Sequence, residues 1–225
     1  MQESPTYHPF PNNPILQSNQ ADDDINRQDH GGRTRLHDSV IKGSVQEVED
    51  LLALGAASTI QDSQGDQPLH YAASRALEGI IRLLIKRGAD INAKGRAGMT
   101  PLHMSLRFPR IFKALLQADS LISAQDDQGN TPLHLALSSN LAGTPPKGST
   151  VEKLILHGAD VNVRNNAGIT PFHMVLENSW LKGEHSASYL VMFLENGALV
   201  SLKTADGRLP FDVFLENSNF GWAKY

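Results

Sequence analysis

Gly129-Asn130-Thr131-Pro132-Leu133-His134-Leu135-Ala136 is the most complete copy of a pattern that returns six times along the 225 residues. Gly98-Met-Thr-Pro-Leu-His103, Gly168-Ile-Thr-Pro-Phe-His173 and Gly65-Asp-Gln-Pro-Leu-His70 are further copies. Gly32-Arg-Thr-Arg-Leu-His37 lacks the Pro, and Gly207-Arg-Leu-Pro-Phe-Asp212 lacks the Thr and the His. Successive glycines stand 33, 33, 31, 39 and 39 residues apart. A fixed period of this length predicts a solenoid, in which each unit buries its apolar face against its neighbours.

Each position of the octapeptide has a physical role. The Gly permits a left-handed turn. Thr is placed to cap the free N–H groups of a following helix. Pro at the first helical position loses no hydrogen bond. Leu or Phe enters the core. The His, three residues after the Thr, reaches the Thr hydroxyl or nearby backbone and is positioned to tie neighbouring units together.

On these residues the chain resembles the ankyrin repeat family, whose unit carries Thr-Pro-Leu-His-x-Ala. Leu83-Leu84-Ile85-Lys-Arg-Gly88-Ala89-Asp90-Ile91-Asn92 and Leu154-Ile155-Leu156-His-Gly158-Ala159-Asp160-Val161-Asn162 are similar to the family's outer helix, glycine stop and hairpin strand. The resemblance implies an all-α repeat solenoid: stacked helix-turn-helix units joined by β-hairpin-like turns. The expected repeat domain covers residues 23–217, with repeats at about 29–61, 62–94, 95–125, 126–164 and 165–203 and a partial sixth at 204–217. Asp22-Asp-Asp-Ile-Asn26 reads as a first hairpin strand. Residues 1–22, with Pro5, Pro9, Pro11 and Pro14 among Asn, Gln and Ser, read as a disordered tail. Residues 218–225 read as a C-terminal cap or tail, with Phe220, Trp222 and Tyr225 folding back over the last repeat.

Departures from the period are specific. The second helix of repeat three ends at Gln117-Ala-Asp-Ser120 with no Gly, so a locally altered, less well-fixed turn is expected. Repeats four and five carry insertions at 138–149 and 178–186 between their helices. Insertions on one face of a solenoid often mark its binding face.

Composition narrows the function. The net charge is −4 and the pI about 6.1, against a nucleic-acid binder with a basic face. There is no Cys, hence no disulfide framework, thiolate metal site or Cys nucleophile. The beginning, Met1-Gln-Glu-Ser-Pro-Thr-Tyr-His-Pro9, has no basic start and no apolar stretch of secretory type. The longest clear apolar run, Tyr189 to Leu194, is too short to span a bilayer. An intracellular place, cytoplasmic or nuclear, is therefore expected.

Catalytic patterns are incomplete. The periodic histidines His37, His70, His103, His134 and His173 lie on successive packed helices about 8–10 Å apart, too far to share one zinc at about 2 Å. Gly143-Thr-Pro-Pro-Lys-Gly148-Ser-Thr150 mimics a phosphate loop but lacks the Lys after its second Gly, and no strand precedes it. Ser149-Thr-Val-Glu152 reads better as a capping box. Glu184-His185 with Ser186 or Ser188 suggests a hydrolase group, but no Gly-x-Ser-x-Gly or His-Glu-x-x-His motif accompanies it. No catalytic residue, metal or cofactor is assigned.

The expected function is therefore non-catalytic: a monomeric adaptor or scaffold binding a protein partner through its hairpin tips and concave face. The family resemblance places ligand contacts at Arg33, Asp66, Arg96, Met99, Arg107, Phe108, Asn130, Ile169 and Glu177, and Trp180 is a hot-spot residue type in the second insertion. One alternative is an inhibitor or regulatory subunit that masks a partner's surface. Another, of a different class, is an enzyme or nucleotide-dependent regulator using the 143–150 and 178–188 loops. The resemblance also marks Asn92 and Asn162 as similar to asparagines that hydroxylases modify.

Overall fold

A computed structural model describes residues 24–138, 149–177 and 184–217. Eleven helices are described: α1 (Arg35–Lys42), α2 (Val45–Ala53), α3 (Pro68–Ser74), α4 (Glu78–Lys86), α5 (Pro101–Ser105), α6 (Pro109–Leu116), α7 (Pro132–Ser138), α8 (Thr150–Leu156), α9 (Pro171–Glu177), α10 (Glu184–Glu195) and α11 (Pro210–Asn217). The odd-numbered helices begin at the octapeptides and pack against one another in series, α1 on α3, α3 on α5, α5 on α7, α7 on α9 and α9 on α11. Each of α2, α4, α6, α8 and α10 packs on the helix before it. This is an all-α solenoid of helix pairs, and no strand forms among the described residues.

The expected hairpin strands are therefore a correction. Each tip is closed by two backbone bonds, as Asp29 N–H donates to Arg33 O at 2.8 Å and Gly32 N–H to Asp29 O at 3.0 Å, a pair repeated at Asp62, Gly95, Asp126, Asn165 and Thr204. A ladder needs successive paired residues, but the arms of these loops bond to the next repeat through side chains instead. Gln28 Nε2 donates to Gln61 O at 2.9 Å, Gln61 Nε2 to Lys94 O at 3.0 Å, and Gln125 Nε2 to Arg164 O at 3.1 Å.

The core is one continuous apolar column. The signature residues Leu36, Leu69, Leu102, Leu133 and Phe172 are all buried in it. Removing any one of them from water is worth about 1.5–3 kcal/mol. From the outer helices come Val48 and Leu51, Ile80 and Leu84, Ile111 and Leu115, Val151 and Leu154, and Tyr189 and Phe193. Their three- and four-residue spacing puts one stripe of each helix against the inner layer.

The turn after α6 is locally altered, as expected: Ala56, Ala89, Ala159 and Ala198 each donate a backbone N–H to the carbonyl five residues back, and at Ser120 the hydroxyl makes that bond instead. Where other outer helices end in left-handed Gly55, Gly88, Gly158 and Gly197, Asp119 takes φ 59°. The Ser120 hydroxyl fixes this turn by donating to Leu115 O at 2.8 Å. Short polar residues tolerate that region better than other non-glycine types.

Candidate functional site

The octapeptide histidines are structural parts of the platform. Thr131 N–H donates to His134 Nδ1 at 3.2 Å, and the Thr131 hydroxyl is 2.9 Å from the same nitrogen. A nitrogen that accepts a backbone N–H carries no proton, so the imidazole is neutral and protonated at Nε2. That Nε2–H donates across the repeat boundary to Ile169 O at 3.0 Å. His37 reaches Asp66 O and His103 reaches Asn130 O, each at 3.2 Å, and His70 reaches Ala93 O at 2.9 Å. His173 points toward the Arg208 backbone without forming a bond at Nε2. Burial pushes all five imidazoles below their ordinary pKa.

The tips are stitched into a ribbon along one edge. Ser63 N–H donates to Gly31 O, Asp127 N–H to Ala97 O, Asn166 N–H to Gln128 O and Ala205 N–H to Ala167 O, at 2.9–3.0 Å. Such close backbone approach needs glycine: a Cβ on Gly129 would stand 2.7 Å from Asn166 N, at φ +76°. The junction between repeats two and three is built differently. There Arg96 N–H donates to the Asp66 carboxylate at 2.9 Å, and Arg96 Nε stands 3.2 Å from its other oxygen.

This geometry sorts the expected contact residues. Arg33, Met99, Asn130 and Ile169 each follow a turn Gly and form a half-buried row along the tips. Asn130 accepts from Asn165 Nδ2 at 2.9 Å, so its side chain is held. Arg96 is exposed beside this row, while Arg107 and Glu177 are exposed at the far ends of inner helices α5 and α9. Phe108 is half-buried and packs against the core. Asp66 is a correction: it is fully buried and engaged with Arg96, so it positions a tip rather than meeting solvent. Trp180, the enzyme-like loops 143–148 and 178–183, and the expected tail and cap lie outside the described residues. Of the phosphate-loop mimic, Ser149 is described: its hydroxyl caps α8, accepting from Glu152 N at 3.0 Å.

A second row was not anticipated. Tyr71, Met104, Leu135 and Met174 follow the signature His in repeats two to five and are half-buried on the inner helices. The serial packing of those helices places the four side by side. The signal was in the octapeptide: an apolar residue directly after the His in four copies. At the N-terminal end of this row, the Arg33 guanidinium lies 5.4 Å from the Tyr71 ring centroid and donates to its hydroxyl at 3.2 Å. Tyr71 in turn donates to Asp62 at 2.5 Å. Burial alone would raise the Asp62 carboxyl, but bonds from Tyr71 and from the Gln64 and Asp66 amides hold it below the ordinary range.

Among the described residues no three His, Cys, Asp or Glu side chains are grouped to hold a metal. No described helix is long and apolar enough to cross a membrane.

Together the stacked helix pairs, the stitched tips and the Thr–His bridges define a repeat solenoid that presents a surface. Family models for ankyrin repeats match residues 12–95, as three copies, and residues 128–166. The chain belongs to the ankyrin repeat family, whose repeats are protein-interaction modules. It is similar to NF-kappa-B inhibitor delta of Mus musculus, 37% identical over 81 residues, which are 35% of this chain and 25% of that protein. It is also similar to B-cell lymphoma 3 protein of Homo sapiens, 30% identical over 142 residues, 60% of this chain and 31% of that protein. Neurogenic locus notch homolog protein 1 of Homo sapiens is 35% identical over 83 residues, 36% of this chain and 3% of that protein. The chain thus spans less than a third of the length of each of these relatives.

Proposed function

We propose that the chain is a non-catalytic binding platform that holds a protein partner across its tips and inner helix face. The observation that carries this reading is the pairing of two parallel rows. Arg33, Met99, Asn130 and Ile169 line the tips, and Tyr71, Met104, Leu135 and Met174 line the adjoining helices. Half-buried methionines adapt their shape to a partner, and Tyr and Arg are over-represented at binding hot spots. The partner would be an extended or helical segment with an apolar stripe. Arg96, Arg107 and Glu177 supply the charged rim, and the chain acts as a monomer in the cytoplasm or nucleus.

The masking reading has its own support: one relative is named NF-kappa-B inhibitor delta. In that form the platform covers a surface its partner needs elsewhere, whereas an adaptor leaves it open.

The test is affinity capture from native lysate with quantitative mass spectrometry. Wild type is compared with a Met99→Asp/Ile169→Asp variant that circular dichroism shows to be folded. A stoichiometric partner that disappears with the variant supports the platform, and an unchanged partner list overturns it. Competition between the chain and the partner's other ligands then separates masking from adaptor action.

A further inference from the structure

The net charge of −4 conceals a sharp division of charge along the stack. Residues 75–113 hold nine Lys and Arg against Glu78 and Asp90, net +7, while the remainder of the chain is net −11. The outer helices carry this division. α2 has Glu47, Glu49 and Asp50 and no basic residue. α4 with its C-cap has Arg82, Lys86 and Arg87 against Glu78, and α6 has Arg110 and Lys113 with no acidic residue. α8 carries one charge of each sign, and α10 has two Glu and no Lys or Arg. The equivalence of the repeats sets these charges in a row. Six residues before the left-handed residue that follows each outer helix stand Glu49, Arg82, Lys113 and Glu152, in repeats one to four. Arg82, Lys86, Arg87, Arg110 and Lys113 are all exposed. Arg82 pairs with Glu78 at 2.6 Å, and the other four form no ion pair among the described residues. Asp90 and Asp119 lie in the turns beyond the two helices. Charges of one sign held on neighbouring helices repel, and an anion laid across them relieves that repulsion.

We infer that the outer face of repeats two and three is a second interaction surface, and that it takes a short acidic segment of a partner protein laid across α4 and α6. Packed helices lie about 8–10 Å apart, so two of them give a band about 20 Å wide, which about six extended residues span. The borders of the band select the class of partner. A nucleic-acid strand running along the stack would carry its phosphates over Glu49 and Asp50 on one side and Glu152 on the other. α4 and α6 also expose no aromatic side chain on which bases could stack. A short run of carboxylates meets the basic residues and ends before the acidic borders. The surface lies on the outer layer, away from the tips and the inner helix face, so it stands independently of the platform and lets the chain hold two partners at once.

The probe is a fluorescein-labelled polyglutamate peptide of about eight residues, titrated with the full chain at low salt and followed by fluorescence anisotropy. A labelled oligothymidylate of similar length is titrated beside it. The peptide should bind saturably and weaken as salt screens the charges. Arg82→Glu/Lys113→Glu, with helical content unchanged by circular dichroism, should weaken it about tenfold or more. Arg110→Gln/Lys113→Gln, which removes charge without adding repulsion, should weaken it by about a fewfold. Arg35→Glu/Lys203→Glu makes the same change in net charge at exposed positions near the two ends of the stack, and should alter binding by less than about twofold. Absence of saturable binding to the wild-type chain overturns the proposal. So does an equal loss in the Arg35/Lys203 variant, because net charge and not the band would then hold the peptide. Tighter binding of the oligothymidylate than of the peptide also overturns it and assigns the band to nucleic acid.

Discussion

The Asp66 carboxylate fills the space that a side chain at position 95 would need. A Cβ on Gly95 would collide with Asp66 Oδ1 and stand 2.8 Å from the His70 ring. In repeats one, two and four the residue opening the tip is an aspartate that caps its own loop. Asp29, Asp62 and Asp126 each accept two backbone N–H bonds there, and Asn165 does the same in repeat five. Repeat three has Gly95 at that position, and the Asp66 carboxylate of the preceding tip enters the vacated space, where it accepts the Arg96 N–H. Gly95 has φ −102°, so space rather than backbone conformation requires the glycine.

The exchange predicts a double-mutant cycle. Asp66→Ala leaves Arg96 N–H without its acceptor and should cost about 1–3 kcal/mol. Gly95→Asp alone should also destabilise, through the clash with Asp66 and His70. Combining Asp66→Ala with Gly95→Asp should recover part of the loss, because the clash with Asp66 is gone and position 95 can then cap its own tip as Asp126 does. Urea unfolding of the four proteins measures the coupling. Additive losses would show that the two positions are independent.

Asp119 carries a separate cost. Its φ of 59° is the left-handed conformation that four glycines hold at equivalent helix ends. Left-handed backbone costs a non-glycine residue roughly 1–2 kcal/mol, less for Asp, and glycine loses some of that gain through unfolded-state entropy. Asp119→Gly should therefore stabilise by up to about 1 kcal/mol, read as a higher urea midpoint with an unchanged slope. A lower midpoint would show that the Asp119 side chain does more for the turn than its backbone strain costs.

The stack, its helix pairs and the Thr–His bridges were legible in the sequence because a periodic pattern repeats one local cause at each copy. What was not legible depends on departures from that pattern that compensate in space. Asp66 stands at a tip position that is half-buried in Arg33, Met99, Asn130 and Ile169, and nothing local shows that Gly95, 29 residues on, draws it inside. The altered turn at Asp119 was legible as a missing Gly, but the Ser120 hydroxyl that stands in for the backbone bond was not. The hairpin strands failed because side-chain bonds from Gln28, Gln61 and Gln125 replace the backbone ladder. The row of Tyr71, Met104, Leu135 and Met174 becomes a candidate surface only once the inner helices are seen to lie side by side.

Gln67 is a fault that substitution should mend. It replaces the Thr of the octapeptide, is buried, and its Oε1 has no hydrogen-bond partner. In repeats one, three, four and five the Thr hydroxyl lies 2.8–2.9 Å from the imidazole Nδ1. Gln67→Thr should supply that contact and remove a buried orphan acceptor, a gain of about 1 kcal/mol. Thermal unfolding followed at the helix signal measures it. A loss would show that the Gln67 stem fills volume that the shorter Thr leaves empty.

The five buried histidines set how stability responds to acid. Each is neutral in the folded chain because Nδ1 accepts a backbone N–H, and burial lowers each pKa below the unfolded value of about 6.5. Below that value the unfolded chain binds more protons than the folded one, so stability falls as pH falls. The histidine contribution is fully present above about pH 7 and declines from about pH 6.5 downward until each folded-state pKa is passed. Every such group adds at most about 1.4 kcal/mol per pH unit to the slope. Asp62, whose pKa is lowered, contributes its own loss only at more acid pH. Urea midpoints should be level between about pH 8 and 7 and drop steeply between about pH 6 and 5. Substituting His134→Gln should lower the plateau, because the bond to Ile169 is lost, and make the acid slope shallower by one proton. A profile level down to about pH 5 would mean that the imidazoles protonate in place, and the bridges between repeats would then not depend on the neutral form.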